Sequence, residues 1–99
     1  MKMMELLKKR SKPGKMKIDL VIDIPTRGTV LAGVVEDGCI KVGDTVEIHS
    51  ADGKIQRASV EGMEQSRRAV NVVFEGNPVG ILIKVKASLV SEGDMLVVV

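Results

Sequence analysis

The sequence has few of the side chains that most often perform catalysis or bind metal. Its 99 residues include a single cysteine, Cys39, and a single histidine, His49. One cysteine cannot form an internal disulfide, and this pair cannot supply a zinc site of the usual Cys and His type. Cys39 lies in an apolar stretch without flanking cations, so we expect it to be packed and inert. We expect His49 to be a surface residue and not a catalytic base.

Aromatic residues are almost absent, because Phe74 is the sole one and the chain has no tryptophan or tyrosine. Proteins that bind single-stranded nucleic acid without sequence preference stack the bases on aromatic side chains. The sequence therefore predicts no stacking platform for bases. Any contact with RNA would have to use phosphates and shape.

Two longer patterns are also missing. No run of about 18 apolar residues is present to span a membrane, and the apolar pair Leu6-Leu7 is too short for a signal peptide. We therefore expect a cytoplasmic protein without membrane contact. The sequence also lacks a G-x-x-x-x-G-K-[ST] loop, so we expect no GTP binding or hydrolysis. No enzyme activity, catalytic residue, metal or cofactor is predicted.

The net charge of +2 hides an uneven distribution. Residues 1–17 have a net charge of +6, whereas residues 18–99 have a net charge of −4. We interpret residues 1–17 as a flexible basic arm and residues 18–99 as one folded domain. The arm either binds RNA or another polyanion, or is a solvated tail. If it binds RNA, its candidate cations are Lys8, Lys9, Arg10 and Lys12.

From Ile18 onward the apolar residues follow a period of two, which is typical of a half-buried strand. In this strand Ile18, Leu20, Ile22 and Ile24 are expected to point inward. Similar strands are predicted for residues 28–36, 45–49, 54–63, from Pro78 onward and for 95–99, separated by turn sequences. Gly33 lies inside a strand, which indicates a bend or a close backbone approach. The pattern predicts an all-β fold, a small closed barrel of six strands.

Several short motifs occur in a distinctive order and together extend over residues 18–99. They are Ile-Pro-Thr-Arg-Gly-Thr-Val at 24–30, Gly-Cys-Ile-Lys-Val-Gly-Asp at 38–44, Val-Glu-Gly-Met at 60–63, Gly-Asn-Pro-Val-Gly-Ile at 76–81 and Glu-Gly-Asp-Met-Leu at 92–96. This arrangement resembles the second domain of translational GTPases such as elongation factor Tu. The resemblance implies a Greek-key β-barrel that occurs here without the GTPase domain.

The resemblance also implies a set of site residues. The second domain of elongation factor Tu helps to hold the aminoacylated 3′ end of tRNA, and the matching positions here are Arg27, Gly28, Thr29 and Glu61. An arginine beside backbone amides can bind a phosphate, and a carboxylate can accept a ribose hydroxyl. The alternative role for Arg27 is to neutralise Asp23. Near these positions the sequence differs from the family's pattern in three places. Thr26 replaces the family's glycine, Ile22 replaces its phenylalanine, and Asp19-Leu20 replaces its acidic pair.

The sequence predicts a non-catalytic binding module, with two functions left open. The first is an accessory of translation, of the ribosome or of another ribonucleoprotein, which contacts RNA phosphates or a partner protein. The second is a protein-interaction or assembly module without a nucleic-acid role. Arg67 and Arg68, in a predicted loop, are further candidates for RNA contact, and their alternative is a solvated loop.

Overall fold

The computed structural model describes residues 12–99, which form an all-β domain with one short 3₁₀ turn at Ala87–Leu89. The predicted arm residues Lys8, Lys9 and Arg10 lie outside the described residues. The strands of residues 12–99 are β1 (Lys15–Lys17), β2 (Leu20–Ile24), β3 (Gly28–Asp37), β4 (Cys39–Lys41), β5 (Thr45–His49), β6 (Ile55–Ser59), β7 (Gly62–Gln65), β8 (Arg68–Ala69), β9 (Val72–Phe74), β10 (Pro78–Ile83) and β11 (Met95–Val98).

Most of these strands belong to one strongly curled sheet. Its order is β6-β5-β11-β1-β3-β10-β7-β8, and β2 pairs with β3 beside this path. Strands β4 and β9 form a separate two-stranded ribbon. The all-β prediction is confirmed, but the predicted closed barrel of six strands is wrong, because this sheet is a curled half-barrel.

The predicted strand at residues 54–63 is divided where the chain passes between the two ends of the sheet. The backbone N–H of Val60 donates to Asp44 on the β5 side, whereas the N–H of Glu61 donates to Leu82 in β10. Two adjacent residues therefore satisfy their backbone groups on different strands. This change of partner separates β6 from β7, which explains why one predicted strand becomes two.

The predicted boundary of the basic arm at residue 17 is also wrong. Strand β1 lies between β11 and β3, and Met16 in its centre is fully buried. The chain is attached even before β1, because the N–H of Cys39 donates to the carbonyl of Lys12 at 2.8 Å. A strand with a single apolar residue between two lysines carries no alternating pattern, so the sequence did not reveal it.

The predicted facing of the next strand is wrong as well. Ile18 is in the core as expected, but Leu20 and Ile22 are 46% and 39% exposed. The N–H of Ile18 donates to Asp94, and that of Asp19 donates to Ala32, so the chain changes partner between β1 and β2. Since side chains alternate along a strand, a break of this kind reverses which face is buried.

The core lies on the inner face of the curled sheet. Its fully buried residues come from strands throughout the chain, including Leu31 in β3, Ile81 in β10 and Leu96 in β11. In β5, the predicted strand at residues 45–49, the alternate residues Val46 and Ile48 are both fully buried. Across residues 12–99 the structure contains no helix with the length and apolarity needed to cross a membrane.

Candidate binding groove

A groove of about 580 Å³ lies on the outer face of the sheet formed by β2, β3, β10 and β7. Its floor follows a cross-strand row in which Ile22 pairs with Val30, Val30 with Leu82, and Leu82 with Gly62. These residues point away from the core, because their neighbours in β3 and β10 point inward. The groove is therefore a surface feature of the sheet and not a defect in the core.

Glycines create much of the depth. Gly62 in β7 and Gly80 in β10 both line the groove, and neither has a side chain to fill it. A Cβ atom added at Gly62 would meet no atom within 4 Å. A second depression of about 360 Å³ shares Ala32 and Gly80 with the first. The two depressions adjoin at these residues and are together called the groove.

The β2–β3 turn places Arg27 at one end of the groove. The N–H of Arg27 donates to the carbonyl of Ile24 at 3.0 Å, with Pro25 and Thr26 between them. Thr26 has φ of 67°, so the turn has proline at its second position and a left-handed residue at its third. Arg27 is exposed and forms no ion pair with Asp23 or with any other carboxylate among residues 12–99.

Thr29 and Gly28 have structural roles at the start of β3. Thr29 is 1% exposed, and its hydroxyl donates to the carbonyl of Val85. Its side chain is therefore unavailable for the predicted RNA contact. Gly28 has φ of 135°, and an added Cβ would lie against the carbonyl oxygen of Ile83. A glycine is needed there for close packing of β3 against β10.

Glu61 lies at the same end of the sheet as Arg27. Its N–H donates to Leu82 in β10, and β10 also pairs with the first residues of β3. The carboxylate of Glu61 forms an exposed ion pair with Lys84, with 3.6 Å between Oε1 and Nζ. The structure thus brings Arg27, Gly28 and Glu61 to one end of the sheet. Within residues 12–99 Arg27 has no ion-pair partner, and Glu61 is partly neutralised by Lys84.

Arg67 and Arg68 lie at the tip of the β7–β8 hairpin, near the opposite end. Gln65 pairs with Arg68, and the two turn residues Ser66 and Arg67 have φ of 50° and 66°. The side-chain amide of Gln65 donates to the carbonyl of Pro78 at 2.9 Å, which ties the hairpin to β10. Both arginines are exposed, and neither lies at the Arg27 end of the groove.

Lys12, the described member of the predicted arm cations, is engaged elsewhere. Its ammonium group donates to Asp37 with 2.6 Å between Nζ and Oδ2. This hydrogen bond, reinforced by charge attraction, raises the pKa of Lys12 above its ordinary value. The same hydrogen bond lowers the pKa of Asp37. Lys12 therefore fastens the start of the described chain to the end of β3.

Sequence reasoning missed the apolar part of the groove. It assigned Ile22 to the core and gave no role to Gly62, Gly80 or Leu82. The sequence offered one sign of the groove, a glycine in each of two predicted strands, Gly62 and Gly80. Sequence alone did not show that these strands pair, because the pairing is between distant segments. The predicted placements of Cys39 and His49 are confirmed, since Cys39 is 4% exposed and His49 is exposed beside Glu47.

These features define a small all-β domain of the barrel type with an open apolar groove on its outer face. Residues 28–97 match the family model for elongation factor Tu domain 2. The chain belongs to the elongation factor Tu domain 2 family, and the prediction from its motifs is confirmed. In elongation factor Tu, this domain is a non-catalytic part of the GTPase.

Proposed function

We propose that this protein is a non-catalytic binding module, an accessory of translation or of another ribonucleoprotein, that contacts its partner through the groove. The supporting observation is the groove itself, an apolar trough with Arg27 at one end, and Arg27 has no ion-pair partner among the described residues. Exposed apolar surface of this kind, bordered by polar residues, is typical of interaction sites.

The proposal assigns no catalysis to the groove because of the side chains that line it. The groove carries the carboxylate of Glu64 and the guanidinium of Arg27, with aliphatic residues and glycines between them. Cys39 is buried, and His49 lies on β5, outside the strands that line the groove. Among residues 12–99 no histidine or cysteine lines either depression, so the groove offers no cysteine nucleophile and no histidine base.

Contact with RNA phosphates is favoured by the position of Arg27. A guanidinium group without a protein partner can bind a phosphate through two parallel hydrogen bonds. Arg67 and Arg68 offer further positive charge at the β7–β8 hairpin. Contacts of this type position RNA without selecting its sequence.

A second candidate, the protein-interaction or assembly module, is favoured by the apolar character of the same face. Leu20, Ile22 and Val34 are each between 39% and 46% exposed on the outer side of adjacent strands. Burial of such side chains in a complex removes apolar surface from water, which favours association. Phosphate groups make no favourable contact with these apolar side chains, whereas apolar side chains of a protein segment can pack against them.

The test is affinity purification of the full chain from its native cells, with and without nuclease. Gly62→Val should fill the trough and release the partner, since a Cβ at this position has free space. Ser59→Val adds the same side chain to an exposed position of β6, outside the groove, and should retain the partner. Nuclease-sensitive retention would identify RNA, and resistant retention would identify protein. Equal retention by Gly62→Val and wild type would contradict the groove as the interface.

A further inference from the structure

Building on the proposed function, we propose that the groove binds a peptide segment of a partner protein, in which a run of aliphatic residues is flanked at one end by lysine or arginine. The aliphatic residues occupy the trough between Ile22 and Gly62. The basic residue lies at the end that carries Asp19 and Glu64.

The apolar part of this recognition comes from the trough. Val30 and Leu82 form its floor, Ile22 stands on one side, and Gly62 and Gly80 leave it open. These trough residues are all aliphatic or glycine, so their side chains have no hydrogen-bonding groups to offer a ligand. Aliphatic side chains are therefore the groups that fit this part best.

The charged side chains that line the two ends of the groove differ in sign, and Arg67 and Arg68 at the hairpin tip line neither depression. Arg27 lines one end, whereas Asp19 lines the other and Glu64 borders both depressions. Asp19 and Glu64 are exposed, and neither forms an ion pair within the part of the chain that the structure describes. A cation beside them is attracted, and a cation beside Arg27 is repelled. The arrangement thus fixes the end of the groove at which the basic residue of a segment binds.

The length of the groove suits a short extended segment. The end near Gly28 and the end near Val34 are six residues apart along β3. At about 3.3 Å per residue this distance is roughly 20 Å, the length of an extended peptide of about six residues. An RNA strand of equal length would bring phosphates beside Asp19 and Glu64, where like charges repel. It would also find no aromatic side chain for stacking in the groove.

The experiment is selection from a phage-displayed library of random heptapeptides on the full-length protein. We expect enriched peptides to contain a run of aliphatic residues with lysine or arginine at one end of it. The double variant Asp19→Lys with Glu64→Lys should bind these peptides on the order of 10-fold more weakly in fluorescence anisotropy, since attraction is replaced by repulsion. Selection on this variant should instead enrich acidic peptides.

Two controls make the result specific. Asp52→Lys with Glu92→Lys makes the same charge change at exposed positions outside the groove and should leave the affinity within about 2-fold. Gly62→Val should abolish binding of the selected peptides, and Ile22→Asp repeats this test at an exposed side chain. Circular dichroism establishes that each variant is folded before its affinity is measured.

Several results would overturn the inference. Enriched peptides without basic residues would contradict the role of Asp19 and Glu64. Equal binding to wild type and to both Gly62→Val and Ile22→Asp would place the site elsewhere. A fluorescent oligouridine that binds in a Gly62-dependent manner would identify RNA as the occupant. If native purification yields a groove-dependent partner without such a segment, the inference fails while the proposed function stands. Failure to recover any groove-dependent partner would contradict the proposed function itself.

Discussion

Replacing Gly33 tests the close crossing of β1 and β3, on which the curled sheet depends. A Cβ atom added here would lie on the carbonyl oxygen of Lys17 and 3.0 Å from Cγ of Met16. The methionine side chain is flexible, but the backbone of Lys17 is not. Lys17 is held by its pairing with Met95 in β11, and the next strand pairs with β3 through Leu20. Even alanine must therefore push β1 away from β3.

The expected cost follows from this backbone contact. Overpacking of a well-packed core destabilises proteins by about 1–3 kcal/mol. We place Gly33→Ala near the upper end, at about 2–3 kcal/mol, because the opposing atom is main chain. For a domain of this size, 1 kcal/mol changes the melting temperature by about 4–8 °C, so a decrease of roughly 8–24 °C is expected. Gly33→Val should decrease stability further, since its methyl groups extend towards Met16.

Urea unfolding followed by far-ultraviolet circular dichroism is the suitable assay, because the chain has no tryptophan or tyrosine for fluorescence. Gly62→Ala is the matched control. It also lies in a strand, but its Cβ would have no atom within 4 Å. We expect it to be neutral or slightly stabilising. An unchanged unfolding midpoint for Gly33→Ala would refute the close approach of β1, and equal losses at both glycines would point to a general effect of removing glycine.

Three further predictions concern the turn, the ion pair and the N-terminal segment. Thr26→Gly should raise the free energy of unfolding, measured in urea, by about 0.5–1 kcal/mol, because a β-branched residue at φ of 67° is strained. A lower free energy of unfolding would show that the threonine side chain is needed. Asp37→Asn should lower the free energy of unfolding at pH 7. This loss should shrink as the pH falls below 3.8, because Lys12 lowers the pKa of Asp37 and the stabilising contribution disappears as the carboxylate is protonated. A loss that is independent of pH would exclude this ion pair. Deletion of residues 1–11 should preserve the cooperative unfolding transition, whereas deletion of residues 1–17 should abolish it by removing β1. If the N-terminal cations bind RNA, the shorter deletion should also flatten a salt dependence of log–log slope about −3, and equal slopes would exclude them.

Local sequence determined the elements whose signals are local. Strand β5 was predicted at its observed bounds, Thr45–His49, because two inward residues alternate with outward ones between turn sequences. The ordered motifs led to the correct family. For Gly33 the sequence predicted a bend or a close backbone approach, and the structure shows the close approach, to the carbonyl of Lys17.

The tertiary structure decided everything that depends on which strands meet. Strand β1 forms because β3 and β11 both pair with it, and its single apolar residue, Met16, gave no period to detect. Leu20 and Ile22 face outward because the chain changes hydrogen-bond partner at Ile18 and Asp19, which alternation alone cannot show. The groove exists because pairing places Gly62 beside Leu82, residues far apart in sequence. Local pattern specifies strands, but only non-local pairing decides which face of each strand meets solvent.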